Sequence, residues 1–300
     1  MVLGIAVLIG IGFLGALHPA LDTFSHFRLH LAVILFSAGI IFLFVRRFWR
    51  GSLCMLVAAI ALTTTMVALP WTSASIPPIA DKPIYSLFHL NLLWSNRMRE
   101  QVIERIHEID PDFISVTEVN NRWEPYLKSL DETWPHLVQC PEWQNFGGIK
   151  IYSRWPFQND DDFCGSYGSF VKTKVQLPNT KELTLGSVHP RWPWPASGPE
   201  QYASFQPILN ALGKDALIVG DFNATPWSYS VRHFAGTGKL SSVGSIGGTW
   251  LHERLPAWTI RTFGLPIDLV MKKGDIHIIS AKSLENFGSD HLPIVVKFQF

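Results

Sequence analysis

The sequence predicts a layered α/β domain dominated by β-sheet and preceded by three transmembrane helices. Three nearly uncharged apolar runs lie within the first 70 of the 300 residues. After residue 83, short runs rich in β-branched and aromatic residues alternate with helical patterns, which is typical of packed α/β layers. The composition is 47% hydrophobic with a mean hydropathy of +0.16, which is high for a soluble protein and agrees with a membrane part.

The three apolar runs cover residues 2–17, 29–45 and 53–69. Each is close to the roughly 17 to 25 residues that cross the hydrocarbon core of a bilayer. Two alternatives stay open: the first run as the core of a signal peptide, and all three as buried helices of a soluble domain. The first run lacks a basic start and a small-residue cleavage site, and two more runs follow it, so we expect three membrane helices.

The charges between the runs predict the orientation of the chain. The loop between the second and third runs contains Arg46, Arg47 and Arg50, whereas the loop before the second run holds only Arg28 and Asp22. Basic loops favour the cytoplasmic side. We therefore expect a multi-pass protein of the cell inner membrane, with everything after residue 70 in the periplasm of a bacterial cell.

The predicted organisation is a membrane anchor over residues 1–70, a linker over 71–82 and a third part over 83–300, called the outer domain here because it is expected outside the cytoplasm. The linker is rich in Pro and Ser, which favours an extended chain. Four of the 25 Lys and Arg residues and one of the 24 Asp and Glu residues precede residue 81, so 21 basic and 23 acidic residues follow. This near-neutral balance gives no general attraction for a polyanion, so nucleic acid is not favoured as a partner.

The positions of the three cysteines are relevant to whether the protein lies in an oxidising compartment. Cys54 lies in the third apolar run, and Cys140 and Cys164 lie in the outer domain. In an oxidising compartment the last two could form a disulfide, but their spacing is equally compatible with two free, buried thiols. Both alternatives stay open.

Nine strands and two helices are expected in the outer domain. An amphipathic helix is predicted over residues 97–111, with Met98, Val102, Ile106 and Ile109 along one side, and a second helix over 200–212. The predicted strands cover residues 84–94, 112–119, 147–153, 170–177, 182–189, 216–223, 267–273, 276–284 and 291–300.

Polar residues recur where these strands meet loops. In "IVGDFNATPWS", Asp221 and Asn223 lie two residues apart and so point to the same face of a strand, where both can reach one ligand. Each such residue alone is also compatible with a turn, a cap or a solvated strand end. Together they indicate an oxygen-ligand site of the magnesium type with two imidazoles. The set is Asn91, Glu118, His189, Asp221, Asn223, Asp268, Asp290 and His291.

The order of these motifs resembles the endonuclease/exonuclease/phosphatase superfamily, which has the fold of pancreatic deoxyribonuclease. The resemblance covers residues 84–300, and "GDFN" followed by "SDH" is its most specific part. It implies a four-layered α/β sandwich, in which two packed mixed β-sheets are flanked by helices. The matching pieces are "HLNLLW", "IDPDFISVTEV", "GGIKIYSRWP", "SVHPRWP", "VGDFNATPWS", "PIDLVM" and "GSDHLPI".

The resemblance also implies a metal site for Mg²⁺ or Mn²⁺. Asn91 and Glu118 are its expected ligands, and Asp290 is a further contributor. The chain departs from the family at Thr117, where a Gln is common immediately before the metal-binding Glu.

Catalytic roles follow from the same resemblance. Asp221 is expected to accept the proton of the attacking water, and Asn223 to hold the phosphate or that water. His291, oriented by Asp268, and His189 are expected to stabilise charge on the phosphate oxygens. Hydrolysis of a phosphate ester needs such positioning and charge stabilisation more than a protein nucleophile.

Substrate contacts are expected from Asn223 and from Arg191, which lies in the run "HPRWPWP". Trp192 and Trp194 of that run are either aromatic packing or contacts with lipid, since Trp favours membrane interfaces. Arginines in loops are commonly only solvated, so the alternative for Arg191 is a solvated side chain that makes no substrate contact.

The leading hypothesis is a membrane-anchored, metal-dependent phosphoesterase that acts on a phosphomonoester or phosphodiester outside the cytoplasm. The tether favours a lipid-linked substrate. One alternative is a nuclease acting on DNA or RNA, because both activities share one set of catalytic residues. A second alternative is a catalytically silent binding protein on the same fold. The natural substrate and the oligomeric state do not follow from the sequence.

Overall fold

A computed structural model describes residues 2–66, 76–142, 147–158, 163–178, 181–244 and 246–300. Residues 71–75 of the predicted linker lie outside this part of the chain. All nine predicted strands are present among residues 83–300. Three further short strands, over His136–Cys140, Phe163–Cys164 and Ser241–Ser242, were not predicted. The strands are β1 (Ile84–Asn91), β2 (Phe113–Val119), β3 (His136–Cys140), β4 (Gly148–Ser153), β5 (Phe163–Cys164), β6 (Phe170–Gln176), β7 (Glu182–Val188), β8 (Ala216–Asp221), β9 (Ser241–Ser242), β10 (Asp268–Lys273), β11 (His277–Ser283) and β12 (Ile294–Gln299).

The predicted helix over residues 97–111 forms as α5, and its buried residues Val102, Ile103 and Ile106 face the sheet. The predicted helix over residues 200–212 is broken into two short helices, because a proline at position 207 removes a backbone donor from the continuous pattern. The helices are α1 (Val2–Ile11), α2 (Pro19–Ser25), α3 (Arg28–Phe44), α4 (Phe48–Thr65), α5 (Arg99–Ile109), α6 (Glu124–Leu127), α7 (Gly198–Ser204), α8 (Gln206–Asn210), α9 (Tyr229–Gly238) and α10 (Ile260–Phe263).

The strands form two mixed sheets of six strands each. The first has the order β11-β12-β1-β2-β4-β3 and the second the order β5-β6-β7-β8-β10-β9. The pairs β1–β2 and β7–β8 are parallel, and all other neighbours are antiparallel.

Three hydrophobic cores hold four layers together. One lies between the sheets and includes Phe113, Leu185 and Phe298. The second packs α5 on the outer face of the first sheet, and the third packs α7, α8 and α9 on the outer face of the second. The two mixed sheets with flanking helices confirm this part of the predicted fold class.

This topology brings distant strand ends to one edge. β1 and β2 are parallel, so their carboxyl ends lie side by side, and so do those of β7 and β8. β12 is antiparallel to β1, and β10 is antiparallel to β8, so the beginnings of β10 and β12 reach the same edge. The polar residues that follow or precede these strands are thereby gathered into one site.

The prediction of three separate membrane helices is not supported. The first apolar run folds into α1, which has 10 residues and therefore spans only about 15 Å. Among the described residues, only α4 is by itself long and apolar enough to cross a bilayer. The pair α2 and α3, bent by 55° at residues 26–27, provides a second span only if it is counted as one. A Gly-containing turn after residue 11 ends α1 early, which apolar composition alone does not reveal.

The N-terminal helices contact the catalytic domain directly. The Asp22 carboxylate accepts hydrogen bonds from the backbone N–H groups of Tyr229 and Ser230, at 2.7 and 3.0 Å, where α9 begins. The indole of Trp227 donates to the carbonyl of Ser25 at 2.6 Å. Because α9 follows the "GDFNATPWS" turn, the N-terminal segment holds one end of that turn in place.

The two cysteines of the outer domain form a disulfide between Cys140 and Cys164, with the Cα atoms 5.5 Å apart. This bond joins β3 of the first sheet to β5 of the second. Cys54 is free and buried in the helical segment. The structure therefore resolves the two alternatives that the sequence leaves open in favour of the disulfide.

Candidate active site

Asp221 lies at the centre of the site, fully buried at the end of β8. A Cβ atom at Gly220 would lie 2.1 Å from the carbonyl oxygen of Val188, so the close approach of β7 and β8 at this point requires glycine. The Asp221 Oδ1 atom accepts a hydrogen bond from the backbone N–H of Asn223 at 2.8 Å. Asn223 has a φ of 47°, a left-handed conformation that asparagine tolerates well.

Asn91 connects the two sheets across the site. Its Nδ2 group donates to Oε1 of Glu118 and to Oδ2 of Asp221, both at 3.0 Å. Its Oδ1 atom accepts from the backbone N–H of Leu93. In this arrangement the amide presents donors to the two carboxylates, and its oxygen would face them only after the amide turns over.

Glu118 is held by an irregular end of β2. The register with β4 shifts between Val116 and Val119, and Glu118 has a φ of 58°. A Cβ atom at Gly147 would lie 2.4 Å from the Cα atom of Glu118, so glycine is needed there as well. The Oε2 atom of Glu118 accepts from the backbone N–H of Trp94 at 3.0 Å. A left-handed glutamate is uncommon and costs backbone free energy, and such strain concentrates at functional sites.

Asp268 and His291 form a buried pair. Asp268 opposes Asp221 in the β10–β8 register, and its Oδ2 atom lies 2.8 Å from Nδ1 of His291. Burial alone would lower the pKa of His291, but the negative charges of Asp268 and Asp221 raise it to about 10. Burial alone would raise the pKa of Asp268, but the charge of His291, the hydrogen bond from His291 and the nearby imidazole of His89 hold it below its usual range. The pair is therefore an imidazolium and a carboxylate at neutral pH.

His189 approaches the centre from the opposite side. Its Nε2 atom lies 3.5 Å from Oδ2 of Asp221 and 3.9 Å from Oε1 of Glu118. Burial lowers the pKa of His189 to about 3, and repulsion by charged His291 acts in the same direction. The site thus combines one charged and one neutral imidazole around the same carboxylate.

The two central carboxyl groups hold protons more tightly than usual. Burial raises the pKa of Asp221 to about 7, against the opposing effect of charged His291. Burial also raises the pKa of Glu118, partly offset by the hydrogen bond from Asn91. A carboxylate with a pKa near 7 is suited to accept a proton at physiological pH.

The residues around Glu118 fit a divalent cation. Asp290 is close enough to Glu118 to raise its pKa, and the buried Oδ1 atom of Asp290 has no hydrogen-bond partner among the described residues. Carboxylate oxygens are the ligands that Mg²⁺ and Mn²⁺ prefer. A neighbouring group also has metal-ligand spacing, namely Asp221, Asp268 and His291. Within that group His291 and Asp268 already satisfy each other, so Glu118 and Asp290 are better placed to hold an ion.

Three site residues were not predicted from the sequence. His89 lies two residues before Asn91 on the same strand face, and its Nε2 atom is 3.5 Å from Oδ1 of Asp268. The indole of Trp250 donates to Oδ2 of Asp290 at 2.9 Å. The Ser289 hydroxyl donates to the carbonyl of Asn91 and accepts from the backbone N–H of His291. Strand periodicity could have identified His89, whereas a loop indole and a serine carry no such signal.

The remaining predicted residues lie beside this centre. The backbone N–H of Arg191 donates to Oε1 of Gln201, which fixes the loop after His189, and Arg191 itself is half-buried. The Thr117 hydroxyl, at the position where the family often has Gln, is buried and has no hydrogen-bond partner in the part of the chain that the structure describes. Trp192 packs at 5.8 Å between ring centroids against Trp250, and Trp194 is exposed. Packing is thus the interpretation that fits Trp192.

An open cavity of about 650 Å³ lies beside Asp290 and Ser289, which are among its lining residues. Its lining also includes Trp94, Arg97 and the apolar side chain of Leu255. The cavity offers a substrate both a cationic and an aromatic surface.

Comparison with known proteins assigns this arrangement to a class. The Endonuclease/Exonuclease/phosphatase family matches residues 88–291, a range that contains every site residue described above. The chain belongs to the Endonuclease/Exonuclease/phosphatase family. Enzymes of this family hydrolyse phosphoester bonds and depend on divalent metal ions, so the protein is a phosphoester hydrolase. No curated protein matches the chain by sequence.

Solved structures with the same fold are distant in sequence. A family protein from Leptotrichia buccalis is 16% identical, with a TM-score of 0.58 over 72% of this chain and 100% of that one. D. rerio TDP2, complexed with a single-strand DNA product, is 13% identical, with a TM-score of 0.58 over 72% and 99%. The human Nocturnin catalytic domain, with bound sulfate, is 16% identical, with a TM-score of 0.55 over 74% and 96%. At these identities the likeness establishes the fold alone.

Proposed function

We propose that the protein is a metal-dependent phosphoesterase that hydrolyses a phosphomonoester or phosphodiester by direct attack of water. The observation that most directly supports this proposal is the environment of Asp221. This buried carboxylate has the Nε2 atoms of His189 and His291 at 3.5 and 3.6 Å, and Asn91 joins it to Glu118. A proton acceptor, two phosphate-oxygen partners and a cation-binding carboxylate thus converge within one small volume.

Each of these side chains has a separate role in the proposed reaction. Asp221, whose pKa is raised to about 7, accepts the proton of the attacking water. Asn223 positions that water or the phosphate from the same turn. His291, kept charged by Asp268, neutralises charge that develops on a phosphate oxygen, and neutral His189 donates or accepts a hydrogen bond on the other side.

Glu118 and Asp290 hold the metal ion in this proposal, and the oxygen of Asn91 joins them when its amide turns over. The bound ion supplies Lewis-acid stabilisation of the phosphate oxygens. Mg²⁺ and Mn²⁺ both suit such oxygen ligands. Asn223 and Arg191 are the proposed substrate contacts.

We place the protein in the cell inner membrane with the catalytic domain in the periplasm. The arginines between α3 and α4 support a cytoplasmic location for that loop. The disulfide between Cys140 and Cys164 supports an oxidising compartment for the catalytic domain. A membrane location in turn favours a lipid-linked phosphate ester over a soluble one.

Purified full-length protein assayed on a generic phosphodiester and a generic phosphomonoester tests the reaction. Activity should vanish in excess chelator and return with Mg²⁺ or Mn²⁺. Glu118→Gln should raise the metal concentration that is needed, whereas Glu104→Gln, on the exposed face of α5, should not. Full activity in excess chelator would contradict the proposal, and complete inactivity with every ester and metal would favour a silent binding protein.

A nuclease is the second candidate, because the same residues can hydrolyse a nucleic-acid backbone. D. rerio TDP2, with the same fold, is complexed with a single-strand DNA product. A parallel screen against DNA, RNA, phospholipids and sugar phosphates separates the two. A rate on nucleic acid at least about tenfold above that on lipid-linked esters would favour the nuclease.

Fusion of a reporter that works only in the periplasm tests the orientation. Fused after Phe300 it should be active, and fused between α3 and α4 it should be inactive. The reversed pattern would place the catalytic domain in the cytoplasm and restore cytosolic nucleotides as substrates.

A further inference from the structure

A second cavity lies where the N-terminal helices meet the catalytic domain, away from the proposed catalytic residues. Its volume is about 230 Å³. Its lining comes from the turn after α1, the first residue of α3 and the end of α4, together with α9, the turn before it and β9. The lining includes Phe13, Arg28, Thr64, Trp227, Arg232 and Ser242.

Two arginines line this cavity. Arg28 is buried, and its terminal nitrogens donate to Thr64 and to the carbonyl of Gly12, whereas its Nε group has no hydrogen-bond partner among the described residues. Arg232 donates its Nε hydrogen to the carbonyl of Ser228. Within the described part of the chain, neither guanidinium has a carboxylate within 4.0 Å, and the two positive charges are close enough to repel each other.

The nearest carboxylate is already engaged elsewhere. Asp22 attracts Arg28 from beyond ion-pair distance, but its oxygens accept hydrogen bonds from Tyr229 and Ser230 at the beginning of α9. Two positive charges and one negative charge therefore surround the cavity. Like charges held together in a partly buried place are costly unless an anion joins them.

We propose that this cavity binds a phosphate group between Arg28 and Arg232. Guanidinium groups match phosphate oxygens through paired N–H donors, and the hydroxyl of Ser242, which also lines the cavity, can add a further donor. The side chains of Phe13 and Trp227 make another part of the wall apolar, which suits a ligand that carries both a phosphate and hydrocarbon.

The position of the cavity indicates two sources for that phosphate. It lies beside the end of α4, an apolar helix of 18 residues that is about 27 Å long, so its end falls near a membrane surface, where lipid phosphates lie. The headgroup of an anionic lipid is therefore one source, which rests on the membrane location proposed above. Inorganic phosphate is the other, and it requires no membrane.

Binding measurements on the full-length protein in detergent test this site, with chelator present so that no hydrolysis occurs. Native mass spectrometry measures binding of dioleoyl phosphatidic acid, with dioleoylglycerol as the phosphate-free control. Melting temperature measures stabilisation by inorganic phosphate. The variants are Arg28→Gln and Arg232→Gln, and the matched control is Arg105→Gln, an arginine on α5 that pairs with Glu108 far from the cavity.

We expect at least a tenfold loss of affinity for phosphatidic acid, inorganic phosphate or both in each cavity variant, and none in Arg105→Gln. Loss for phosphatidic acid alone identifies a lipid headgroup as the ligand, and loss for inorganic phosphate alone identifies the free ion. Should Arg28→Gln fail to fold, Arg232→Gln decides, because Arg232 is exposed on α9.

Two results would overturn the proposal. One is equal binding of both probes by wild type and Arg232→Gln. The other is phosphate binding that survives in Arg232→Gln but is lost in His291→Ala, because it would place the phosphate in the catalytic centre. Neither result bears on hydrolysis, so the failure of this site and the failure of the proposed activity are distinguishable.

Discussion

The Oδ2 atom of Asp268 lies 2.8 Å from Nδ1 of His291, and both side chains are buried. This contact fixes which ring nitrogen of His291 faces the substrate, since Nδ1 is engaged and Nε2 points toward Asp221 at 3.6 Å. The pair therefore sets both the orientation and the charge of the imidazole.

Asp268→Asn should remove that control while keeping the shape of the side chain. Without the carboxylate, the pKa of His291 should fall from about 10, because burial then dominates. We expect kcat to fall by about a hundredfold or more, with a larger loss at pH 8 than at pH 6. Profiles of kcat against pH measure this effect, and Asp275→Asn, an exposed carboxylate, is the control. If kcat in Asp268→Asn depends on pH as in the wild type, His291 does not act as a charged group in the reaction.

Trp250→Phe should weaken the metal site although it replaces none of the proposed metal ligands. The change removes the indole donor to Oδ2 of Asp290 but keeps an aromatic ring beside Trp192. Loss of a hydrogen bond that orients a ligand commonly weakens metal binding about 10- to 100-fold. The Mg²⁺ concentration at half-maximal activity measures it. Trp258→Phe, at a residue 79% exposed, is the control, and an equal metal requirement in both variants would contradict the role of Trp250.

The stability of the metal-free protein should depend on pH because Asp221 and His291 bind protons more tightly in the folded state than in the unfolded state. The pKa of Asp221 is raised to about 7 and that of His291 to about 10, so between pH 6.5 and pH 9 the folded state binds more protons than the unfolded state. Stability should therefore fall as pH rises through this range, by at most about 1.4 kcal/mol per pH unit for each proton. Melting temperatures in chelator measure this fall.

Asp221→Asn should flatten the lower part of that curve, since it removes the group with a pKa of about 7. Added Mg²⁺ should raise the melting temperature most at pH 9, where the carboxylates are ionised and an ion balances them. A melting temperature that rises with pH in chelator would show that these groups do not control stability.

The sequence predicts the strands and the polar residues of the site because both have local signals. Runs rich in apolar, aromatic and β-branched residues end at Asn91, Glu118 and Asp221, and the two-residue period places Asp221 and Asn223 on one face. Nothing local predicts that Asp22 caps α9, since the two are separated by more than 200 residues along the chain. The contact between the indole of Trp250 and Asp290 was not predicted for the same reason, because it also joins residues far apart in the sequence.

The predicted helix boundaries are wrong for a different physical reason. Apolar composition predicts burial in lipid or protein but not where a helix ends, so α1 is shorter than its apolar run. The edge strand β3, with only five residues and Pro135 beside it, has too short an alternating pattern to be recognised. Packing against β4 stabilises it instead.

The roles of Asp221 and Asn223 can be separated by a double-mutant cycle. Asp221→Asn keeps the shape and removes the proton acceptor, so turnover should fall by roughly a hundred- to ten-thousandfold, with a smaller change in KM. Asn223→Ala removes a side chain whose Nδ2 group donates to the carbonyl of Pro190 at 2.9 Å, and with it the proposed contact to water or phosphate. Turnover should fall here as well.

The two losses should combine less than additively, because both residues act on one transition state. If the pair only forms a turn at the end of β8, both variants should instead melt at lower temperature and lose activity in proportion to the unfolded fraction. Asn210→Ala, at the exposed end of α8, is the control for the asparagine change. Turnover and melting temperature measured on the same preparations distinguish these outcomes. A folded and nearly fully active Asp221→Asn would exclude this carboxylate as the catalytic base.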